Sequence, residues 1–472
     1  MSIHHQPSSL RNLLKPLAIL AGCAAASSTV RAEDPALAAK YFQLYGSVDL
    51  GYSYQKHGNA FNPDLATNVN VFLTKYNSTS RASIASNGLS LSTIGARSEI
   101  PLNTDLSGLA QLESSFSPAS GSIVDGPGSI AANNGAAPAN YTSFGDSNKA
   151  GQFLNGNVFL GLESRSYGRL TIGRNSSLMS ESICRNDALY CAPAFSYVGY
   201  FGAAAGMGDT EDRFMDGTVK YAGNLGAVRV GALYQPARLA SQTGGGAVGS
   251  AFQFSLGSSM GALSLEGVAG RRRDGILLAS PLSAAQVSGT ATPGSAAYGL
   301  PADKTLNGVV SDNTAYGLFG RYDGGELKVF AGYENVRQAN PASPLATGTE
   351  TIGGYRIVAN NTAFPKPKVT QYTWVGVRYS PSQRWDLAAS LYDVEQASYR
   401  SGASCSDQSS SLCSGRYWAL GGVADYKLAD SGFMKGFDVY CGVVHSSASG
   451  GVVSGYLNKT NLSAMAGMRY VF

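Results

Sequence analysis

Residues Phe42–Gln55, FQLYGSVDLGYSYQ, decide how the rest of the chain is read. Phe42, Leu44, Val48, Leu50, Tyr52 and Tyr54 fall on one side of an extended chain. Gln43, Tyr45, Ser47, Asp49, Ser53 and Gln55 fall on the other. Period-two alternation with aromatics near the ends describes a strand that faces lipid on one side and water on the other.

Outward from this strand the same pattern recurs as hairpins. Ser92–Ile100 pairs with Gly108–Phe116, Asn157–Glu163 with Arg169–Arg174, and Arg213–Ala222 with Ala227–Gln235. Ala251–Ser258 follows with Ala262–Arg271, then Thr314–Tyr322 with Glu326–Val336 across Asp323-Gly324-Gly325, a strong hairpin turn. Gln371–Tyr379 with Trp385–Glu395, and Arg416–Leu428 with Gly436–Val444, complete the series, and Asn461–Phe472 ends the chain. With the opening strand this predicts an all-β, 16-stranded antiparallel transmembrane β-barrel. Short turns alternate with long loops at His57–Leu91, Pro118–Phe153, Asp274–Asp312 and Asn340–Lys368, all expected outside. Closure follows from the solvent, because lipid offers an open sheet edge no hydrogen bonds.

Composition agrees. Only 14% of residues are charged, against about 25% in ordinary soluble proteins. Gly (58) and Tyr (26) are abundant, yet mean hydropathy is −0.06. Alternation averages out the membrane signal, whereas a helical span would show a long apolar run. The N-terminus reads as a signal peptide over residues 1–32: Arg11 and Lys15, an apolar Pro16–Val30, and a small-residue cleavage site at Val30-Arg31-Ala32. Leu20-Ala21-Gly22-Cys23 offers a competing lipobox reading with Cys23 lipidated. Cleavage after Ala32 leaves residues 33–472 as one domain with 32 basic residues against 31 acidic. That near-neutral balance gives no support to nucleic-acid binding.

One loop stands apart. Asn175–Asp212, NSSLMSESICRNDALYCAPAFSYVGYFGAAAGMGDTED, is long, aromatic and carries Cys184 and Cys191. Such a stretch suits a loop packed inside the barrel and narrowing it, the alternative being a mobile external loop. An exporting context favours disulfides. The economical assignment is Cys184 with Cys191 and Cys405 with Cys413, leaving Cys441 free. Spacings of seven and eight do not suit a zinc site, and His57 and His445 are the only histidines after residue 32. No metal, cofactor or catalytic constellation is expected.

Leu44–Gly51 (LYGSVDLG), Ile94–Glu99 (IGARSE), Leu106–Glu113 (LSGLAQLE), Phe159–Arg174 (FLGLESRSYGRLTIGR) and Met468–Phe472 (MRYVF) resemble the general diffusion porins of Gram-negative outer membranes, most closely their β-proteobacterial branch. The resemblance implies a homotrimeric barrel in the outer membrane that passes ions and small hydrophilic solutes. It implies that the third long loop forms a constriction opposite a basic wall. By motif, Arg97 and Arg213 take the places of wall cations and Glu99 and Glu113 those of wall carboxylates. Glu181, Asp187, Asp209, Glu211 and Asp212 are the loop carboxylates expected to face them. The family's wall arginine before the FLGLE strand is missing, with Gly156 or Asn157 near its place. Met468, Tyr470 and Phe472 are the implied signal for the barrel-assembly machinery, and outer-membrane lipid and lipopolysaccharide the implied surroundings.

A substrate-specific channel for sugars or an anion is the alternative. It calls for an aromatic track, with Tyr45, Phe159, Tyr197, Tyr200 and Phe201 as candidates. The run Arg271-Arg272-Arg273 reads either as a phosphate-binding patch or as a solvated strand end.

Overall fold

The computed structural model describes residues 41–58, 79–119, 121, 154–199, 205–209, 213–237, 249–279, 305–342, 350–352, 355–399, 413–429, 436–451 and 458–472. The signal-peptide and lipobox readings therefore lie outside the described residues. The chain divides into a short unit, Met1–Gln43, and a large one, Leu44–Phe472. The large unit carries the architecture.

In order, the elements are β1 (Phe42–Gly58), β2 (Thr79–Ser86), β3 (Thr93–Pro101), β4 (Leu106–Ser115), β5 (Val158–Ser164), β6 (Gly168–Ser176) and α1 (Leu178–Arg185). There follow β7 (Phe214–Leu225), β8 (Val228–Gln235), β9 (Ala251–Met260), β10 (Leu263–Ala279), β11 (Thr305–Asp323) and β12 (Leu327–Ala339). The last are β13 (Glu350–Ile352), β14 (Tyr355–Asn360), β15 (Lys368–Tyr379), β16 (Trp385–Gln396), β17 (Gly415–Lys427), β18 (Phe437–Gly450) and β19 (Thr460–Val471). Neighbours in the wall pair antiparallel, and β1 closes on β19 from Ser47↔Val471 to Gln55↔Ser463.

The result is a closed 16-stranded barrel. Three short strands were not expected. β2 and β3 share one place in the wall, both along the same edge of β1, and β13–β14 form a hairpin in the loop after β12. The predicted outer loop His57–Leu91 thus ends as wall strand. Between β2 and β3 the chain dips inward. Asp49 accepts three successive backbone N–H groups there, from Gly88 (3.0 Å), Leu89 (2.7 Å) and Ser90 (2.8 Å). One ionisable side chain on β1 thereby satisfies a buried turn.

Sidedness follows alternation. Leu44, Tyr52 and Tyr54 on β1 are exposed to the outside, whereas Ser47, Asp49, Ser53 and Gln55 are buried on the inside. A soluble protein would bury the first set; in lipid the apolar face is the solvated one. The interior is not an empty tube. Met179, Ile183, Leu189, Phe195 and Val198, all from the segment after β6, pack with Phe319, Trp374, Tyr392, Tyr417 and Tyr440 of the far wall.

Candidate functional site

The segment after β6 begins as a helix because its sequence caps one. Ser177 sits at the N-cap (φ −71, ψ 149) and its side chain accepts the Ser180 N–H at 3.1 Å. Glu181 in the first turn and Arg185 in the last both suit the helix dipole. Leu178, Met179, Ser182 and Ile183 are buried. A disulfide then joins Cys184 to Cys191, with Cα atoms 5.1 Å apart.

The far wall holds this loop through specific contacts. Trp374 Nε1 donates to the Asn186 carbonyl at 2.9 Å. Arg378 Nη1 donates to the Ala188 carbonyl at 2.9 Å, and its guanidinium lies 4.0 Å from the Tyr190 ring centroid. Tyr197 packs on Tyr417 at 4.5 Å, and Phe195 meets Tyr440 edge-on at 6.1 Å. Gly421 faces the Phe195 carbonyl so closely that a Cβ would collide with it, so glycine on the wall admits the loop backbone. On the return limb, Glu334 accepts the Gly206 N–H at 3.0 and 3.1 Å, and Gln338 Nε2 donates to the Gly208 carbonyl at 3.0 Å.

Because the loop is seated on β11–β18, the space left open lies on the opposite side. A cavity of about 420 Å³ is lined by α1 and by inward residues of β4–β10, with α1 itself held to β9 where the Met179 N–H donates to Gln253 Oε1 at 3.1 Å. The i, i+4 spacing of Glu181 and Arg185 turns both toward it. Each meets an opposite charge on the wall: Glu181 lies 2.6 Å from Lys220 Nζ on β7, and Arg185 Nη1 lies 2.7 Å from Glu266 on β10. Arg169 pairs with Glu163 at 2.9 Å. Arg229 donates to Ser259 (2.8 Å) and Ser264 (2.9 Å). The cavity lining therefore holds four cations, Arg169, Arg185, Lys220 and Arg229, against three carboxylates, Glu163, Glu181 and Glu266.

The residues expected from sequence fall in several places. Arg97 stands over the Tyr45 ring at 5.5 Å. Tyr45 donates to Glu113 at 2.9 Å and accepts from Gln111 at 2.7 Å. Arg213, just before β7, interacts with the Glu113 charge; desolvation pulls its guanidinium down to about 10, and Glu113 offsets part of that fall. It is a cation at neutral pH. Glu99 lines a separate recess of about 360 Å³ beside the β3–β4 and β5–β6 turns.

Two loop carboxylates differ from expectation. Asp187 is fully buried, accepting from Tyr392 Oη (2.7 Å) and the Cys191 N–H (2.9 Å). Burial raises its pKa, and those hydrogen bonds oppose the rise. Asp209, 2% exposed, lies 2.6 Å from Arg272 Nε. Neither faces Arg97 or Arg213, because the loop spends both on fastening itself to the wall. Glu211 and Asp212 lie outside the described residues. So do Tyr200, Phe201 and Cys405. Cys413 is disulfide-bonded, and Cys441 is a free thiol. Of the aromatic track, Tyr197 belongs to the loop core, while Phe159 lines the cavity.

Glu163, Arg169, Arg185, Lys220, Arg229 and Glu266 were missed. The signals were present: a Ser177 cap with apolar residues at 178, 179 and 183 marks a helix, and inward alternation marks the other five. Instead of an acidic loop facing a basic wall, each side of the gap carries both signs.

Comparison places this architecture among known proteins. The sequence model of a family described as Gram-negative porin matches residues 17–428. An anion-selective porin from Comamonas acidovorans is similar at 14% identity and TM-score 0.58, over 91% of this chain and 99% of that one. OmpT of Vibrio cholerae, in a trimer form, gives 14% identity and TM-score 0.52 over 91% and 99%. OmpF of Salmonella typhi, in complex with daunomycin, gives 14% and 0.50 over 91% and 97%. No curated protein matches the chain.

Proposed function

We propose, from the premise that the chain belongs to the Gram-negative porin family, that its conducting path is the cavity between α1 and the β4–β10 wall. The protein is a multi-pass β-barrel of the outer membrane and a diffusion channel. The observation that carries the finer reading is that Glu181 and Arg185, on one helix face, pair with Lys220 and Glu266 and that all four line this cavity. Four opposed charges in a narrow watery gap favour polar solutes over apolar ones. The one cation in excess among the lining residues supports a weak preference for anions, and a structurally similar protein is described as anion-selective.

Blocking the gap tests the assignment. Ala222 lines the cavity on β7, while Val219 on the same strand faces lipid. Ala222→Trp is expected to lower single-channel conductance by roughly half, since conductance follows pore width. Val219→Trp is expected to leave it unchanged. Equal conductance for wild type and Ala222→Trp places the path elsewhere.

We read the working unit as a homotrimer, supported by the trimer form recorded for a similar barrel. Arg97, Glu113 and Arg213 are not among the residues that line this cavity and are read as tuning residues beside it, with Glu99 in the separate recess by the turns. The last residue also has a role in assembly in this reading. Phe472 exchanges two backbone hydrogen bonds with Gly46, each 3.0 Å, and stacks with Tyr470 at 5.7 Å. Deleting Phe472 removes the last two backbone hydrogen bonds of the seam between first and last strands, leaving the ladder from Ser47↔Val471 to Gln55↔Ser463, and removes the terminal aromatic offered to the assembly machinery. Outer-membrane yield is expected to fall while synthesis and export continue; undiminished yield of folded barrel contradicts the assignment.

A further inference from the structure

Both hydrogen-bond partners of Glu266 among the described residues lie in the last turn of α1. Ser182 Oγ donates to Oε1, and Arg185 Nη1 lies 2.7 Å from each carboxylate oxygen. The Glu266 side chain is 7% exposed and that of Arg185 41%. The charge at this point of the gap therefore depends on whether the last turn of one short helix keeps its place.

That turn has little support of its own. α1 spans eight residues, against the roughly 12–15 that an isolated helix needs in water. Its first turn is fixed by the Ser177 cap and by the Met179 N–H on Gln253. Its last turn is continued by Asn186, whose side chain donates to the Ser182 carbonyl at 2.9 Å, and is tied through Cys184 to Cys191.

Cys191 belongs to the seated part of the loop, where its N–H donates to Asp187 at 2.9 Å. Tyr190 (φ 49) and Cys191 (φ 58) are consecutive non-glycine residues in the left-handed region, a conformation that L residues adopt at a cost. The Tyr190 ring, edge-on to Phe330 at 5.8 Å and 4.0 Å from the Arg378 guanidinium, holds one side of this pair. The bridge holds the other.

We propose that the Cys184–Cys191 bridge positions Arg185 and Ser182 on Glu266, and that opening it by a dithiol switches the charge of the passage. Cys184 is the partly exposed member and Cys191 the buried one. A thiolate of the dithiol attacks Cys184 Sγ, and Cys191 leaves and takes up a proton. The second thiol then displaces Cys184, which also takes up a proton. Two electrons and two protons pass to the loop, and the dithiol becomes a disulfide. The strained pair relaxes, the last turn frays, and Glu266 faces the gap without a partner.

The switch rests on the cavity being the passage, whereas hydrogen exchange of α1 does not. Exchange is followed by mass spectrometry on the folded barrel in detergent, before and after dithiothreitol, with alkylation to score the bridge. Backbone amides of 182–186 are expected to exchange at least about tenfold faster after reduction, as a locally opened turn requires. In bilayers the same treatment is expected to shift the permeability ratio about twofold toward cations, the effect of one unpaired unit charge about 8 Å away through water. Reoxidation is expected to restore the starting value. Cys184→Ser with Cys191→Ser is expected to match reduced wild type and to give no further response, which sets aside the bridge of Cys413. Arg185→Gln is expected to shift the ratio alike, and reduction then to move it little, because the positioned charge is gone.

A bridge that withstands the dithiol in the folded barrel overturns the proposal. So does unchanged exchange in reduced wild type, a result that needs no variant to fold. Faster exchange with an unmoved permeability ratio overturns it too: an inert Ala222→Trp then puts the fault in the placing of the passage, an effective one in the role of the bridge.

Discussion

Trp374→Ala is expected to unseat the luminal loop while leaving the barrel closed. Trp374 is 2% exposed, packs on Phe319 at 5.6 Å between ring centroids, and donates its Nε1–H to the Asn186 carbonyl. Truncation leaves a cavity and costs about 3–5 kcal/mol. It also strips a buried carbonyl of its donor, a loss of roughly 1–3 kcal/mol if no water replaces it. These costs fall mainly on the docked loop. The β12–β15 and β15–β16 ladders are backbone bonds that the substitution does not touch. Single-channel recordings of the variant are expected to show larger and noisier currents, and limited proteolysis to cut between 186 and 198. A quiet channel of wild-type conductance with a protected loop means that Trp374 does not hold it.

The second expectation concerns selectivity. Lys220→Glu replaces the cation facing Glu181 by a second carboxylate in the gap. In water, one unit charge acts on an ion 4 Å away with about 1 kcal/mol, so reversing the sign changes its energy by about 2 kcal/mol. That is more than tenfold in relative permeability, and reversal potential in a salt gradient is expected to move strongly toward cations. Glu181→Lys combined with Lys220→Glu restores an ion pair with its partners exchanged and is expected to return most of the wild-type value. The double variant is the stringent control, because a general effect of charge on folding is not rescued that way. Parent-like reversal potential in Lys220→Glu removes Lys220 from the path.

Alternation carried most of the architecture. The pattern of Phe42–Gln55 and its repeats marks sixteen strands, and Leu44, Tyr52 and Asp49 take the sides that it assigns. The loop's aromatic content and its two cysteines signalled packing, and Phe195, Tyr197 and the Cys184–Cys191 bridge are inside the barrel. The site was less legible. Reading carboxylates by count alone made Asp187 and Asp209 equivalent to Glu181, though only Glu181 lines the cavity. β13–β14 escaped because a short hairpin within a long loop has too few residues to show a period.

The sequence by itself determined the barrel, its strand order and which side chains meet lipid. Those features depend on residue-by-residue alternation against two solvents, and alternation is local information. Only the tertiary structure decided where the loop is seated, which charges it spends on the wall, and which remain at the gap. Arg272 finds Asp209, and Glu266 finds Arg185, across more than sixty residues of chain. Such pairs form only when helix α1 and the wall glycines have set the loop at one depth and one rotation. No window of sequence contains that geometry, since it arises from packing between segments that are neighbours only after the barrel has closed.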